Sequence, residues 1–214
     1  MEVHGFCDPK FDAVREAMVQ NFEQHGDVGA SVALTLEGEF VCDLWAGVTS
    51  EGGTDPWKED TLVNVWSTTK TMAALCALVL SDRGQLDLQA PVAKYWPEFA
   101  QNGKEQVLVS HCLAHSAGLS GLDDIISNET LYDWDAMCRL LAEQAPWWPP
   151  GSASGYHAIT QGHLIGEVIR RITGRTLGQF FAQDIAEPLN ADFHIGTPEP
   201  VSYTHLTLPT SGGG

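Results

Sequence analysis

Val63-Asn64-Val65-Trp66-Ser67-Thr68-Thr69-Lys70-Thr71 leads into Met72-Ala73-Ala74-Leu75-Cys76-Ala77-Leu78-Val79-Leu80, and Ser81-Asp82-Arg83-Gly84 follows. The fold turns on this stretch. Its nine consecutive apolar residues offer no polar face, and a glycine closes the run. Such a segment predicts a helix buried on every side with a glycine stop. The run is about half the length of a bilayer span, so it reads as core and not as membrane. A central helix that opens on Ser-Thr-Thr-Lys also raises a chemical question.

Upstream, Phe11, Val14, Met18 and Phe22 recur at helical spacing until Gly26 breaks the pattern. Residues 30–36 alternate as a strand does. A second strand-like run covers 40–45, and Glu37-Gly38-Glu39 between them suits a hairpin turn. Downstream, residues 91–99 read as a short helix and turn, and Ser110 as an N-cap. Trp134, Met137, Leu140 and Leu141 mark an amphipathic helix, ended by the proline-rich segment that runs from Pro146 to Gly151. Leu164, Ile165, Val168, Ile169 and Ile172 mark another, stopped by Gly174, and Thr176 caps a last one through Ile185. There is no internal repeat. Two strands followed mainly by helices predict an α+β layout whose sheet is still small.

The 214 residues carry 11 Lys and Arg against 28 Asp and Glu, a formal charge of −17. A surface that negative repels phosphate backbones and anionic headgroups, so no nucleic-acid or membrane partner is expected. Cys7, Cys42, Cys76, Cys112 and Cys138 are odd in number and form no CxxC pair. They read as buried thiols of a reducing compartment. No signal peptide is visible, and a cytoplasmic location is expected. Residues 47–53 lack the setting of a phosphate loop, and no patterned carboxylate pair suggests glycoside chemistry. No cofactor is expected.

Ser67 and Lys70, three apart, share one helix face. At the start of a helix, unpaired N–H groups and the helix dipole favour developing negative charge on Ser67. A lysine in that positive, apolar setting should lose its proton more readily than a free one and could take the serine proton. The plainer alternative is an N-cap serine beside a solvent-facing lysine. Of the five lysines, only Lys70 has a serine three residues before it. Tyr156 could serve as a base if a cation such as Lys70 stabilised its phenolate; otherwise it is a half-buried tyrosine bonded to a carbonyl. His111 and His115 are spaced as metal ligands could be, but no HExxH glutamate or third ligand accompanies them, and no metal is expected. Trp147 and Trp148 could wall an acyl pocket or simply pack.

Trp66-Ser67-Thr68-Thr69-Lys70-Thr71, the loop His115-Ser116-Ala117-Gly118-Leu119, and Pro150-Gly151 followed by Tyr156-His157-Ala158 carry a resemblance in their order and spacing. They resemble the serine hydrolases of the class C β-lactamase and family VIII carboxylesterase group, over residues 11–200. The resemblance implies a β-lactamase/transpeptidase-like fold of the α+β class, an antiparallel sheet flanked by helices plus a helical domain. It implies Ser67 as nucleophile, Lys70 as proton acceptor and Tyr156 as second acid/base, with the 115–119 loop structural. It also implies an oxyanion hole with the Ser67 backbone N–H as one donor. The second donor would come from a strand carrying Lys-Thr-Gly, Trp-Gly-Gly or His-x-Gly. The chain is read as lacking that motif and its C-terminal strands, so the second donor is missing. Ala158 stands where many β-lactamases of the group carry Asn, which tilts the expectation towards esters.

Residues 202–210 resemble a translated sequencing adapter, so 201–214 is expected to be a non-native tail after a hydrolase domain at 1–200. The expected activity of the full-length parent is hydrolysis of small-molecule esters or amides through an acyl-enzyme on Ser67, this chain alone being inactive. A β-lactamase or D-alanyl-D-alanine peptidase is the enzymatic alternative. A non-catalytic relative binding an acyl ligand or a partner is the other. The oligomeric state is not legible.

Overall fold

The alternation at residues 30–45 yields strands, and the N-terminus adds one that the pattern does not announce. β1 (Val3–Cys7), β2 (Gly29–Leu36) and β3 (Glu39–Gly47) form an antiparallel sheet in the order β1-β3-β2. β1 escapes the sequence reading because Gly5 interrupts its apolar alternation. That glycine is required: its φ is 91°, and a Cβ there would lie 2.0 Å from the Asp43 carbonyl oxygen. The hairpin turn places Glu37 at φ 53° and Gly38 at φ 87°, the double left-handed pair whose twist matches its strands. A computed structural model describes residues 2–196, in two compact units meeting in sequence at Asn64 and Val65. The expected tail at 201–214 lies outside the described residues.

In the first unit, α1 (Asp12–Gln20) forms where the apolar spacing predicts a helix. It continues into a π-turn (Asn21–His25) that ends at left-handed Gly26. Met18 packs with Cys42, Leu44 and Ala46, successive inward positions of β3. Val14, Phe22, Val32 and Leu34 border this small core.

The second unit, Val65–Gly196, is mostly helical. It contains α2 (Thr69–Asp82), α3 (Val109–Leu113), α4 (Asn128–Tyr132), α5 (Trp134–Glu143), α6 (Thr160–Thr173), α7 (Leu177–Phe181) and α8 (Glu187–Leu189). α2 corrects one expectation. Ala73, Cys76, Ala77 and Leu80 are buried, whereas Leu75 and Leu78 are exposed, so only one face meets the core. A run without polar residues has no periodicity to separate a covered face from an open one. The N-cap of α3 is a second correction. Leu108, not Ser110, holds the cap position, Ser110 lies inside the helix, and His111 Nδ1 accepts from the Leu108 N–H (3.2 Å). Thr176 does cap α7, its hydroxyl accepting from the Gln179 N–H (3.2 Å), and left-handed Gly174 ends α6.

α6 is the central helix of this unit, packing on α2, α3, α5 and α7. Leu164, Ile165, Val168 and Ile169 are buried on it, and so is Glu167. One Glu167 oxygen accepts from Trp134 Nε1 (2.8 Å) and Arg170 Nε (2.7 Å), the other from Arg171 Nε (2.7 Å) and an Arg170 terminal nitrogen (3.1 Å). Arg171 reaches on to Glu98 (2.7 Å) and Arg170 to Asp135 (2.9 Å). A carboxylate can be buried here because its acceptor sites are filled by two guanidinium groups and an indole N–H.

Burial pushes the Glu167 carboxyl upward, but hydrogen bonds from Arg170, Trp134 and Arg171 outweigh it and hold the pKa at about 2, against an ordinary 4.5. The folded state therefore gains stability that is complete above the ordinary value and is lost as pH falls towards 2. Tryptophan fluorescence during acid titration should show unfolding across that window. Glu167→Gln should flatten this pH dependence and cost about 1–3 kcal/mol at neutral pH in denaturant titration, because the partly exposed Arg170 and Arg171 guanidinium groups lose charge-assisted hydrogen bonds to a buried carboxylate.

Candidate active site

Trp66 adopts a left-handed φ of 46°, and a 3₁₀ turn (Trp66–Thr68) then runs directly into α2. A non-glycine residue held in that region stores roughly 1–3 kcal/mol of strain, which the surrounding packing must offset. The turn sets Ser67 two residues before the first residue of a 14-residue helix. Thr68 occupies the N-cap position and makes no side-chain capping bond. Lys70 is half-buried, and its Nζ donates to Ser67 Oγ at 3.3 Å. The pair thus has mutual geometry that a serine capping its own helix beside a solvent-facing lysine would lack.

Tyr156 arrives from the segment before α6. Lys70 Nζ lies 5.1 Å from the centroid of its ring. A hydrogen bond with Ser67, then one with Lys70 and the positive charge of Lys70, hold the phenol below its ordinary pKa of 10. The serine hydroxyl accepts from the ammonium and bonds the phenol. The three side chains named from the sequence therefore meet, and the phenol stays 55% exposed, open to a reactant.

What delivers Tyr156 is a seam of hydrogen bonds between two loops. The Gly151 N–H donates to the Ser116 carbonyl (2.9 Å), Trp147 N–H to Gly118 (2.8 Å) and Gly155 N–H to His115 (3.0 Å). The His157 N–H donates to His115 Nδ1 at 3.0 Å. The buried His157 ring accepts from the Leu119 N–H through Nε2 (3.2 Å), so its Nδ1 carries the proton and donates to the Gly155 carbonyl (2.6 Å). Thr160 Oγ1 closes the seam on the Leu119 carbonyl (2.6 Å). Burial pushes His157 below its ordinary pKa, consistent with this neutral tautomer.

His115 and His157 are the residues that sequence reasoning undervalued. The four-residue spacing of His111 and His115 could suit a metal, yet the Nδ1 of each ring accepts from a backbone N–H. Among the described residues, no group of three or more His, Cys, Asp or Glu is placed to hold a metal. The available signal was the adjacency of Tyr156 and His157 downstream of the His115 loop, which only a contact could interpret. Trp147 is half-exposed, with its Nε1 donating to Asp123 (2.7 Å), while Trp148 packs edge-on to the His157 ring. The form His-x-Gly, read as absent, does occur at His194-Ile195-Gly196. There His194 pairs with Asp192 (2.8 Å), and the Ile195 carbonyl lies against Gly178 of α7.

A family model described as Beta-lactamase matches residues 14–214. An esterase/beta-lactamase named LipL, from Mycobacterium tuberculosis, is 39% identical over 211 residues, covering 97% of this chain and 49% of that protein. The crystal structure of a family VIII carboxylesterase superposes with a TM-score of 0.87 at 48% identity, over 94% of this chain and 55% of the other. A penicillin-binding protein homologue from Caulobacter crescentus superposes at 0.89 with 46% identity, over 94% and 54%. The chain spans about half the length of these relatives. It has the helical part and a small antiparallel sheet of the β-lactamase/transpeptidase-like fold, and it belongs to the Beta-lactamase family.

Proposed function

We propose that the whole protein is a serine hydrolase that cleaves small carboxylic esters through an acyl-enzyme on Ser67. The observation that carries this reading is the Lys70 Nζ–Ser67 Oγ contact of 3.3 Å with the Tyr156 phenol against both. Ser67 Oγ attacks the ester carbonyl, and its proton passes to the Tyr156 phenolate, which the Lys70 cation stabilises, or to Lys70 itself. The same pair returns the proton to the departing alcohol. Water, deprotonated in turn, releases the acid and restores Ser67. The Ser67 N–H supplies one oxyanion donor at the positive end of α2. A second donor belongs to the remainder of the whole protein. For that reason the 214-residue chain alone is proposed to be inactive, since one donor is worth about 10²–10³ in rate.

The name of the M. tuberculosis relative joins esterase to β-lactamase, and the C. crescentus structure is titled a penicillin-binding protein homologue. These favour β-lactam or D-alanyl peptide turnover as the second reading. Ala158, where the resemblance leads one to look for Asn, supports the ester.

The protein expressed from its complete reading frame can be assayed with a short p-nitrophenyl ester. Ser67→Ala should lower kcat/KM by at least about 10³-fold and abolish fluorophosphonate labelling read by mass spectrometry; turnover that survives it would remove the nucleophile assignment. Tyr156→Phe should cut kcat by about 10²–10⁴. Because the base form is the phenolate, wild-type activity should rise with pH through a limb below the phenol's ordinary value of 10, and Tyr156→Phe should lose that limb. Butyrate-ester turnover should exceed nitrocefin turnover, and the reverse would favour the second reading. Residues 1–200 alone should show no Ser67-dependent turnover.

A further inference from the structure

His115 touches three consecutive residues around the phenol. Its carbonyl accepts from the Gly155 N–H (3.0 Å), its ring lies 4.7 Å from the Tyr156 ring, and its Nδ1 accepts from the His157 N–H (3.0 Å). The residue is itself held at a left-handed φ of 59°, which aims the ring back across the loop. Both an imidazole and the Lys70 ammonium therefore lie against the Tyr156 ring.

We propose that His115 is a positioning residue for Tyr156, holding the phenol against Ser67 and Lys70 only while its imidazole is neutral; this rests on the reading of those three residues as the acyl-transfer site. Nδ1 can accept from the His157 N–H only through a lone pair. A proton there removes the acceptor, strands a half-buried amide and sets a second cation near Lys70. The groups that face the ring are Lys70 from α2, and Tyr156 and His157 from the segment before α6. Among the described residues, no carboxylate contributes a compensating charge. Burial, and then Lys70, push the imidazole below its ordinary 6.5, so the neutral form holds at neutral pH and is lost as the medium turns acid. The consequence is an acid limb on turnover that belongs to neither the nucleophile nor its two proton-transfer partners.

Two substitutions divide the functions of the ring. His115→Asn keeps an acceptor near the Nδ1 position and tolerates the left-handed backbone, but it neither stacks nor titrates. His115→Phe keeps a ring and loses the acceptor. With the complete protein and a short p-nitrophenyl ester, wild-type kcat should fall as pH drops below 6.5, and His115→Asn should lose that limb. His115→Phe should lower kcat about 10–100-fold with KM within about threefold, as expected when a reacting group is misplaced by an ångström or so. Should either variant fail to fold by circular dichroism, pH titration of ¹³C,¹⁵N-labelled wild type decides. Tyr156 ring signals that move with the His115 imidazole titration support the proposal, and signals that stay fixed overturn it. An unchanged acid limb in folded His115→Asn, with Ser67→Ala inactive in the same assay, overturns the positioning role alone. Turnover surviving Ser67→Ala would sink the site reading and this inference with it.

Discussion

The loop that follows α3 and the loop that precedes α6 are joined by backbone hydrogen bonds at Ser116, Gly118 and His115, and by the His115 and His157 rings. Without that seam the phenol has no reason to stand near a serine and a lysine that lie far earlier in the chain. Each bond is modest, a net contribution of about 0.5–1.5 kcal/mol. Their number and closure make the geometry reproducible, because every donor left open in this half-buried region would cost as much again. Both imidazoles serve as neutral hydrogen-bonding parts, because burial disfavours the charged ring and lowers the pKa of each.

The seam needs a rigid support, and α6 supplies it. Its apolar face fills the core of the second unit, while Glu167 anchors α5 and the turn bearing Glu98 through Arg170 and Arg171. A buried carboxylate serves less as a source of net stability than as a selector of one arrangement, since any slip of α6 would strand its charge. α2 completes the frame by packing on the same helix, and its N-terminal turn then carries the nucleophile candidate to the mouth of the site.

Much of this was visible beforehand where the signal was local. Spacing three apart placed Ser67 and Lys70 on one helical face, and Thr176, Gly174 and Gly38 marked a cap, a stop and a turn. Where the signal was absent or shared, the reading went astray. The all-apolar run of α2 hid the exposure of Leu75 and Leu78. β1 was hidden by the glycine that allows its close approach to β3. Ser110 is a common cap residue, yet α3 starts one residue earlier, at Val109, and leaves the cap position to Leu108. The role of His115 had no local signal at all, because its Nδ1 bonds the amide of His157, a residue 42 positions away.

The amino-acid sequence by itself determined which side chains are available for chemistry, which helices form and where they stop, because propensity, capping and three-residue spacing act within a turn or two of chain. It also carried the three motifs that identify the family. Only the tertiary structure decided that Tyr156 meets Ser67 and Lys70, and that His115 stands against Tyr156. Those contacts join segments with no local relation, and they exist because backbone donors buried at the seam must find acceptors across space.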